Sequence, residues 1–341
     1  MLARFPLALL AAIGISTTTA AAFGADKLSI NGSSTVRPIT EEAIKGFKQT
    51  AEGKNVTIEL KESGTSGGFR LFCTEKIAIS NASRPINAKE LKLCEKNGVR
   101  FIELPIAFDA ITVVVNPANN WAKDISASEL KRLWNKDAQG KVERWSQVNP
   151  SWPDKAIKLY GPGKDSGTFD YFNKAINGDS ENSRTDYTAS EDDDVLVKGV
   201  ATDPLALGYF GFEYYQANKA KLRAVALEQP DGTKVLPTIK AVQDESYRPL
   251  SRPLFIYVND KQLQSSASLR AFVGYSLSNG YKLADEAGAI PLIASTYRLT
   301  ESKVYRRVLG SAYAGSLPVG LTLKDILNRS LDQDKRPEFR N

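Results

Sequence analysis

The sequence predicts an α/β fold of two domains, on three observations. Four short strands with alternating apolar residues each run into a loop rich in Gly, Ser, Thr and Asn. Three of those loops lead directly into segments with helical apolar spacing. About 316 residues remain once a leader-like stretch at 1–25 is set aside, enough for two ordinary cores. Strands that alternate with helices imply largely parallel sheets.

In chain order, Leu28 and Ile30 form the first strand, followed by "NGSSTVRP" and a helix with Val36, Ile39, Ala43 and Phe47 on one face. Val56, Ile58 and Leu60 precede "KESGTSGG" and a helix carrying Phe69 and Phe72. Ile77 and Ile79 precede "SNASRP", and "INAKELKLCEKNG" reads as a helix stopped near Gly98. Ile157 and Leu159 precede "YGPGKDSGT", with Phe169, Phe172 and Ile176 on the helix beyond. In α/β sheets ligands bind outside the carboxyl ends of the strands, so all four loops can converge on one crevice.

Two crossings between domains are expected. Ile111 to Val115 is a strongly apolar strand broken by "NPANN", and "YRPLSRPLFIYV" at 247–258 puts turn chemistry before a new strand. They give one domain from 26–115 and 250–325, an inserted domain over 116–249, and a polar tail over 326–341.

Composition removes several functions. With 42% hydrophobic and 25% charged residues the chain is globular, and its net charge of +6 favours anionic partners. Basic and acidic residues are interspersed, so no nucleic-acid partner is expected. There is no histidine, which excludes Ser-His-Asp and Cys-His catalysis and imidazole metal ligation. Arg4, the apolar run Leu7 to Ile15 and small residues at Ala20 and Ala22 read as a secretory signal peptide. No cysteine lies near the cleavage region, so a lipid anchor is not expected. In an exported chain, Cys73 and Cys94 are expected to form a disulfide; two buried thiols are the other reading.

"GTSGG" matches the G-x-S-x-G pattern with Ser66 as nucleophile, but lacks a histidine; a Ser–Lys pairing would need Lys61 or Lys164. "GPGKDSGT" lacks the residue order of a phosphate-binding P-loop. Glu191 to Asp194 reads as a solvated helix start whose charges oppose the dipole. Trp134, Trp145 and Trp152 read as packing anchors. What remains is a set of hydroxyl-rich loops at helix starts, where free N–H groups and the dipole suit a small oxyanion.

The stretches "INGSSTVRPIT", "ESGTSGGF", "ISNASRPI", "LPIAFDAITVVVNP", "LYGPGKDSGTFDYF", "DYTASEDDDVLVKGVATDPLALGYFGFEYY" and "YRPLSRPLFIYV" together resemble the periplasmic phosphate-binding protein of Pst-type phosphate ABC importers, in a cyanobacterial-like branch. The resemblance implies a type II periplasmic binding fold, with two α/β lobes, a two-strand hinge and the ligand in the cleft. It implies no catalysis, cofactor or metal. The partners implied are inorganic phosphate and inner-membrane permease subunits of an ABC transporter, with the chain itself a monomer in the periplasm. A binder or sensor of another tetrahedral oxyanion, without a transporter, is the alternative.

Carried over by motif, Ser34 and Thr35 donate to phosphate from the first loop and Thr65 from the second. Ser166, Gly167 and Thr168 clamp it from the opposite lobe. The better-known branch has an aspartate in the third loop, where this chain has Ser83, carried over as a phosphate contact, followed by Arg84. It also has an arginine where this chain has Pro162 and Gly163. The resemblance therefore implies that the cationic contact has moved to Arg84. Asp165 is open to two readings, proton acceptor or helix cap.

Overall fold

A computed structural model describes residues 27–335. The signal-peptide reading falls outside those residues, as does the end of the expected tail at 336–341. Chain order begins β1 (Lys27–Gly32), α1 (Arg37–Phe47), β2 (Thr57–Leu60), α2 (Gly64–Phe72), β3 (Ile79–Ala82), α3 (Ala88–Lys96) and β4 (Phe101–Ala110). It continues with β5 (Thr112–Val115), β6 (Asp124–Ser126), α4 (Ala127–Trp134), α5 (Trp145–Val148), β7 (Lys158–Pro162), α6 (Gly167–Asn177), β8 (Thr188–Ser190), α7 (Asp193–Thr202), β9 (Ala206–Phe210) and α8 (Phe212–Ala217). The small strands β10 (Arg223–Ala224), β11 (Ala226–Glu228) and β12 (Lys234–Val235) precede α9 (Ile239–Gln243) and the long strand β13 (Ser251–Asn259). Helices α10 (Asp260–Ser265), α11 (Ala267–Ser278), α12 (Gly280–Glu286), α13 (Ala294–Tyr305) and α14 (Leu323–Lys335) close the chain.

Two five-stranded sheets carry the molecule, ordered β2-β1-β3-β13-β4 and β10-β5-β9-β7-β8. Each is parallel where strand–loop–helix units repeat, at β2-β1-β3 and β9-β7-β8. Each turns antiparallel where the connecting strands join it, at β3-β13-β4 and β9-β5-β10. The sheets are therefore mixed, because strands that run between two halves enter each sheet from the opposite direction. A third, three-stranded sheet, β12-β11-β6, lies beside the second half.

The chain leaves the first sheet at Ala110 and is already paired in the second at Thr112. The crossing thus lies at Ile111, earlier than the expected boundary after Val115. On the return path, Ile111 N–H bonds Leu250 C=O at 2.8 Å and Tyr247 donates its hydroxyl to Ile111 C=O at 2.8 Å, so the two connections run side by side. The polar tail expected from 326 is also corrected. Residues 323–335 are helical, with Ile326 and Ser330 buried. The polar composition hid an amphipathic helix with a narrow apolar face.

Local sequence explains the elements near the site. The apolar residues Ile39, Ala43 and Phe47 face inward along α1, which begins with Pro38 in its first turn. Asn87 and Glu90 form a reciprocal capping box on α3. Gly32 ends β1 at φ +138°, where a Cβ would lie 2.1 Å from Asn81 C=O. Only glycine fits there. A Cβ at Gly68 would lie 2.7 Å from Gly32 Cα, so α2 packs directly on the end of β1.

Cys73 and Cys94 are joined, tying the end of α2 to α3. Closing this loop contributes about 3 kcal/mol in the chain-entropy model. Trp134 is fully buried against the rings of Phe172, Tyr187 and Tyr209. Trp145 and Trp152 pack with Trp121. All three tryptophans read as anchors are core residues of the second half.

Candidate functional site

The helix starts of the two halves face one another. Ser34 and Thr35 sit between β1 and α1, Thr65 is the second residue of α2, and Ser83 follows β3. From the other half, Ser166 caps α6 by accepting a hydrogen bond from Thr168 N–H at 3.0 Å, and Gly167 and Thr168 open the helix. Thr35 and Thr168, 133 residues apart, bring their hydroxyls to 3.2 Å. Thr65 Oγ1 lies 3.2 Å from Ser83 Oγ and accepts from Ser83 N–H at 3.2 Å. A Cβ at Gly167 would lie 2.5 Å from Ser83 Oγ and 2.6 Å from Thr65 Oγ1. Seven of the eight residues carried over from the resemblance thus belong to one buried cluster or its immediate frame.

Arg84 does not join it. Its Nε donates to Asp170 Oδ2 at 2.6 Å. Its Nη1 donates to Pro85 C=O at 3.0 Å and Glu90 Oε2 at 2.8 Å, and Nη2 to Ser66 Oγ at 2.9 Å and Glu90 Oε1 at 2.8 Å. Every N–H of this guanidinium is spent on protein acceptors. Arg84 is therefore not the cation that faces the hydroxyls, and it is not exposed beside Pro85 either. The same contact makes Ser66 an acceptor for Arg84, and among the described residues no hydrogen bond joins it to Lys61 or Lys164.

The cation in the cluster is Arg252. Its Nη2 donates to Thr168 Oγ1 at 2.8 Å and Thr35 Oγ1 at 3.3 Å, and its Nε to Asp109 Oδ2 at 2.9 Å. Arg252 and Asp109 are register partners on β13 and β4, and neither side chain is exposed. Asp109 also accepts from Phe212 N–H at 3.0 Å, at the start of α8. Arg252 Nη1 is buried with no hydrogen-bond partner. Such an orphaned, charge-bearing donor is costly unless an anion completes it. Sequence reasoning passed over both residues because they lie in stretches read as crossings. The available signal was a single charge inside an otherwise apolar strand, "IAFDAITVVV" and "SRPLFIYV".

The acidic run is only partly solvated. Asp192 and Asp194 are exposed, and Asp192 caps α7 by accepting from Asp194 N–H at 2.9 Å. Asp193 is buried, with one carboxylate oxygen unpartnered. Burial pushes its carboxyl up to about 8; Ser34 and Arg252 oppose the shift, and Glu62 and Asp109 add to it. Burial likewise pushes Glu191 up to about 7. Glu213 is held well above the usual carboxylate range by burial, with the Asp109 charge next in effect. Asp165 is neither cap nor free acceptor. Its carboxylate takes both ends of Arg70, at 2.8 and 2.5 Å.

Comparison with known proteins agrees with this architecture. The model of the PBP superfamily domain matches residues 17–280. Protein SphX of Synechocystis sp. is 47% identical over 324 residues, 95% of each chain. The chain belongs to the PBP superfamily, among the relatives of SphX and PstS. The phosphate-binding protein PstS of Staphylococcus saprophyticus is 36% identical over 283 residues, 82% of this chain and 85% of that one. A putative phosphate ABC transporter substrate-binding protein from Clostridium perfringens, solved with bound phosphate, superposes with a TM-score of 0.64 at 25% identity. That match covers 78% of this chain and all of the other. The two mixed sheets joined by paired crossings are the type II periplasmic binding fold.

Proposed function

We propose that this member of the PBP superfamily binds inorganic phosphate in the periplasm and delivers it to the permease subunits of an inner-membrane ABC transporter. It acts as a monomer and performs no chemistry. The observation that carries the reading is the buried cluster itself. Hydroxyls from both halves converge on Arg252, whose Nη1 amino group, with two N–H donors, is still unpartnered. Ser, Thr and backbone N–H groups at helix starts are donors suited to a dehydrated oxyanion, and the guanidinium supplies counter-charge. Thr35, Thr65, Ser83, Gly167, Thr168 and Arg252 are its proposed contacts, framed by Ser34 and Ser166. Residues 27–110 with 251–335 form one proposed lobe and 112–250 the other, hinged at Ile111 and Leu250.

The names of the relatives support phosphate over other anions, and calorimetry decides it. Protein stripped of resident ligand by unfolding and refolding is expected to bind phosphate one to one at micromolar affinity or better, about −8 kcal/mol or stronger. Tight binding of sulfate or molybdate without heat from phosphate would establish the alternative oxyanion reading.

A pH dependence follows from Asp193. Its carboxyl is buried against Ser34 of the facing half, so closing the lobes over it takes up a proton. That stabilisation of the closed form is complete below the ordinary aspartate value of about 4 and is lost as pH rises through about 8. Comparison with Asp193→Asn cancels the titration of phosphate itself. The wild-type dissociation constant, divided by that of the variant, is expected to rise about a hundredfold between pH 6 and pH 9, most of it between pH 6 and pH 8. A ratio independent of pH would show that Asp193 keeps one protonation state.

A further inference from the structure

Arg84 touches none of the clustered hydroxyls, yet it is among the most buried charged side chains of the protein, 1% exposed. Its setting is asymmetric. Glu90, Pro85 and Ser66, which take four of its N–H groups, belong to the half built on the first sheet. Glu90 is itself fixed by the capping box of α3, accepting from Asn87 N–H at 2.9 Å. The guanidinium therefore has one orientation, and its remaining donor, Nε, is aimed across the cleft at Asp170. Asp170 lies in the first turn of α6, two residues after Thr168. Ser66 adjoins Thr65 in α2.

We propose that Arg84 is a positioning residue: through Asp170 and Ser66 it ties together the two helix starts that carry Thr168 and Thr65, and so sets how firmly the lobes close. The proposal rests on the phosphate-binding reading above. Opening the cleft would part Asp170 from Nε but leave the other four N–H groups of Arg84 satisfied. The ion pair thus favours the closed form without being needed to fold the first half.

Among the described residues, two other ion pairs cross between the halves. Arg70–Asp165 is 56% and 40% exposed, and Lys89–Glu181 is 87% and 79% exposed. Pairs so hydrated are screened and contribute little. Arg84–Asp170, at 1% and 18%, sits where the dielectric is low and each charge needs its partner. A backbone bond from Ser66 N–H to Asp165 C=O, 2.9 Å, runs alongside and keeps α2 and the start of α6 in register.

The test uses the mature chain with inorganic phosphate, combining calorimetry, stopped-flow dissociation, thermal melting without ligand and solution scattering. Asp170→Ala is expected to weaken phosphate binding about tenfold, mostly through faster dissociation, because the association step precedes full closure. Asp170→Asn, which keeps an acceptor but no charge, should fall between it and wild type. Lys89→Ala, on the exposed pair, should stay within about twofold. The ligand-free melting temperature of Asp170→Ala should remain that of wild type, and its ligand-free radius of gyration should exceed it. Wild-type affinity and dissociation rate in Asp170→Ala would overturn the proposal. So would a loss of ligand-free stability in both Asp170 variants, which would mark the pair as merely structural. Should the wild type give no heat with phosphate, the functional reading fails on its own. The scattering comparison then decides: an unchanged radius of gyration in Asp170→Ala overturns the proposal.

Discussion

Replacing Arg252 by alanine is expected to abolish measurable phosphate binding. A phosphate dianion enclosed between two lobes gives up its hydration, and hydroxyls and amides alone restore only part of that loss. Arg252 contributes a full charge at the centre of the cluster, already bonded to Thr35 and Thr168. Losing it should cost about 4 kcal/mol or more of binding, roughly a thousandfold. The same change leaves Asp109 buried without its partner, which should destabilise the fold by about 3–5 kcal/mol. The two losses can be separated. Adding Asp109→Asn to Arg252→Ala removes the stranded charge, so thermal stability should recover while binding does not. Arg252→Lys keeps a charge but not the fork that bonds Asp109 and the threonines together, and should recover binding only in part. Calorimetry below each variant's melting transition reads the outcome. Wild-type affinity in the double variant would place the counter-charge elsewhere.

Gly167→Ala should nearly eliminate binding while leaving the fold intact. Gly167 opens α6 with a φ that other residues also adopt, so a methyl group there carries no backbone strain. Yet that methyl would project to within 2.5 Å of Ser83 Oγ and 2.6 Å of Thr65 Oγ1, where the two helix starts meet. It would hold the halves apart or occupy the space of the ion. An affinity loss of about a hundredfold or more is expected, since overpacking of a tight contact costs about 1–3 kcal/mol and lost closure adds to it. A melting curve unchanged without phosphate, together with little or no shift on adding it, is the expected signature. A variant that binds as wild type would show that the lobes do not close at this point.

Much of this site is legible in the sequence because its parts are local. "GSST", "SGTSGG" and "DSGT" each place hydroxyls at the start of a helix, and helix starts are set by residues within one turn. The carboxyl-end rule for α/β sheets then brings the loops together without knowledge of the distance between them. Arg84 fails for the opposite reason. In "NASRP" it stands beside a ligand residue, but the direction of a long side chain depends on Glu90 and Asp170, which lie 6 and 86 residues away.

The sequence alone determined the alternation of strand, loop and helix, the hydroxyls at the helix starts, the buried tryptophans and the absence of histidine. These follow from periodicity and composition, which act over a few residues or over the whole chain. Only the tertiary structure decided which charge serves the site. Arg252 and Asp109, 143 residues apart, become partners because β13 and β4 pair in one register. Pairing also decided that the chain crosses at Ile111 and that Asp193 is buried while Asp192 and Asp194 are not. A buried charge is tolerable only where a partner and the surrounding dielectric permit it. Those are supplied by residues remote in sequence, so no local pattern announces them.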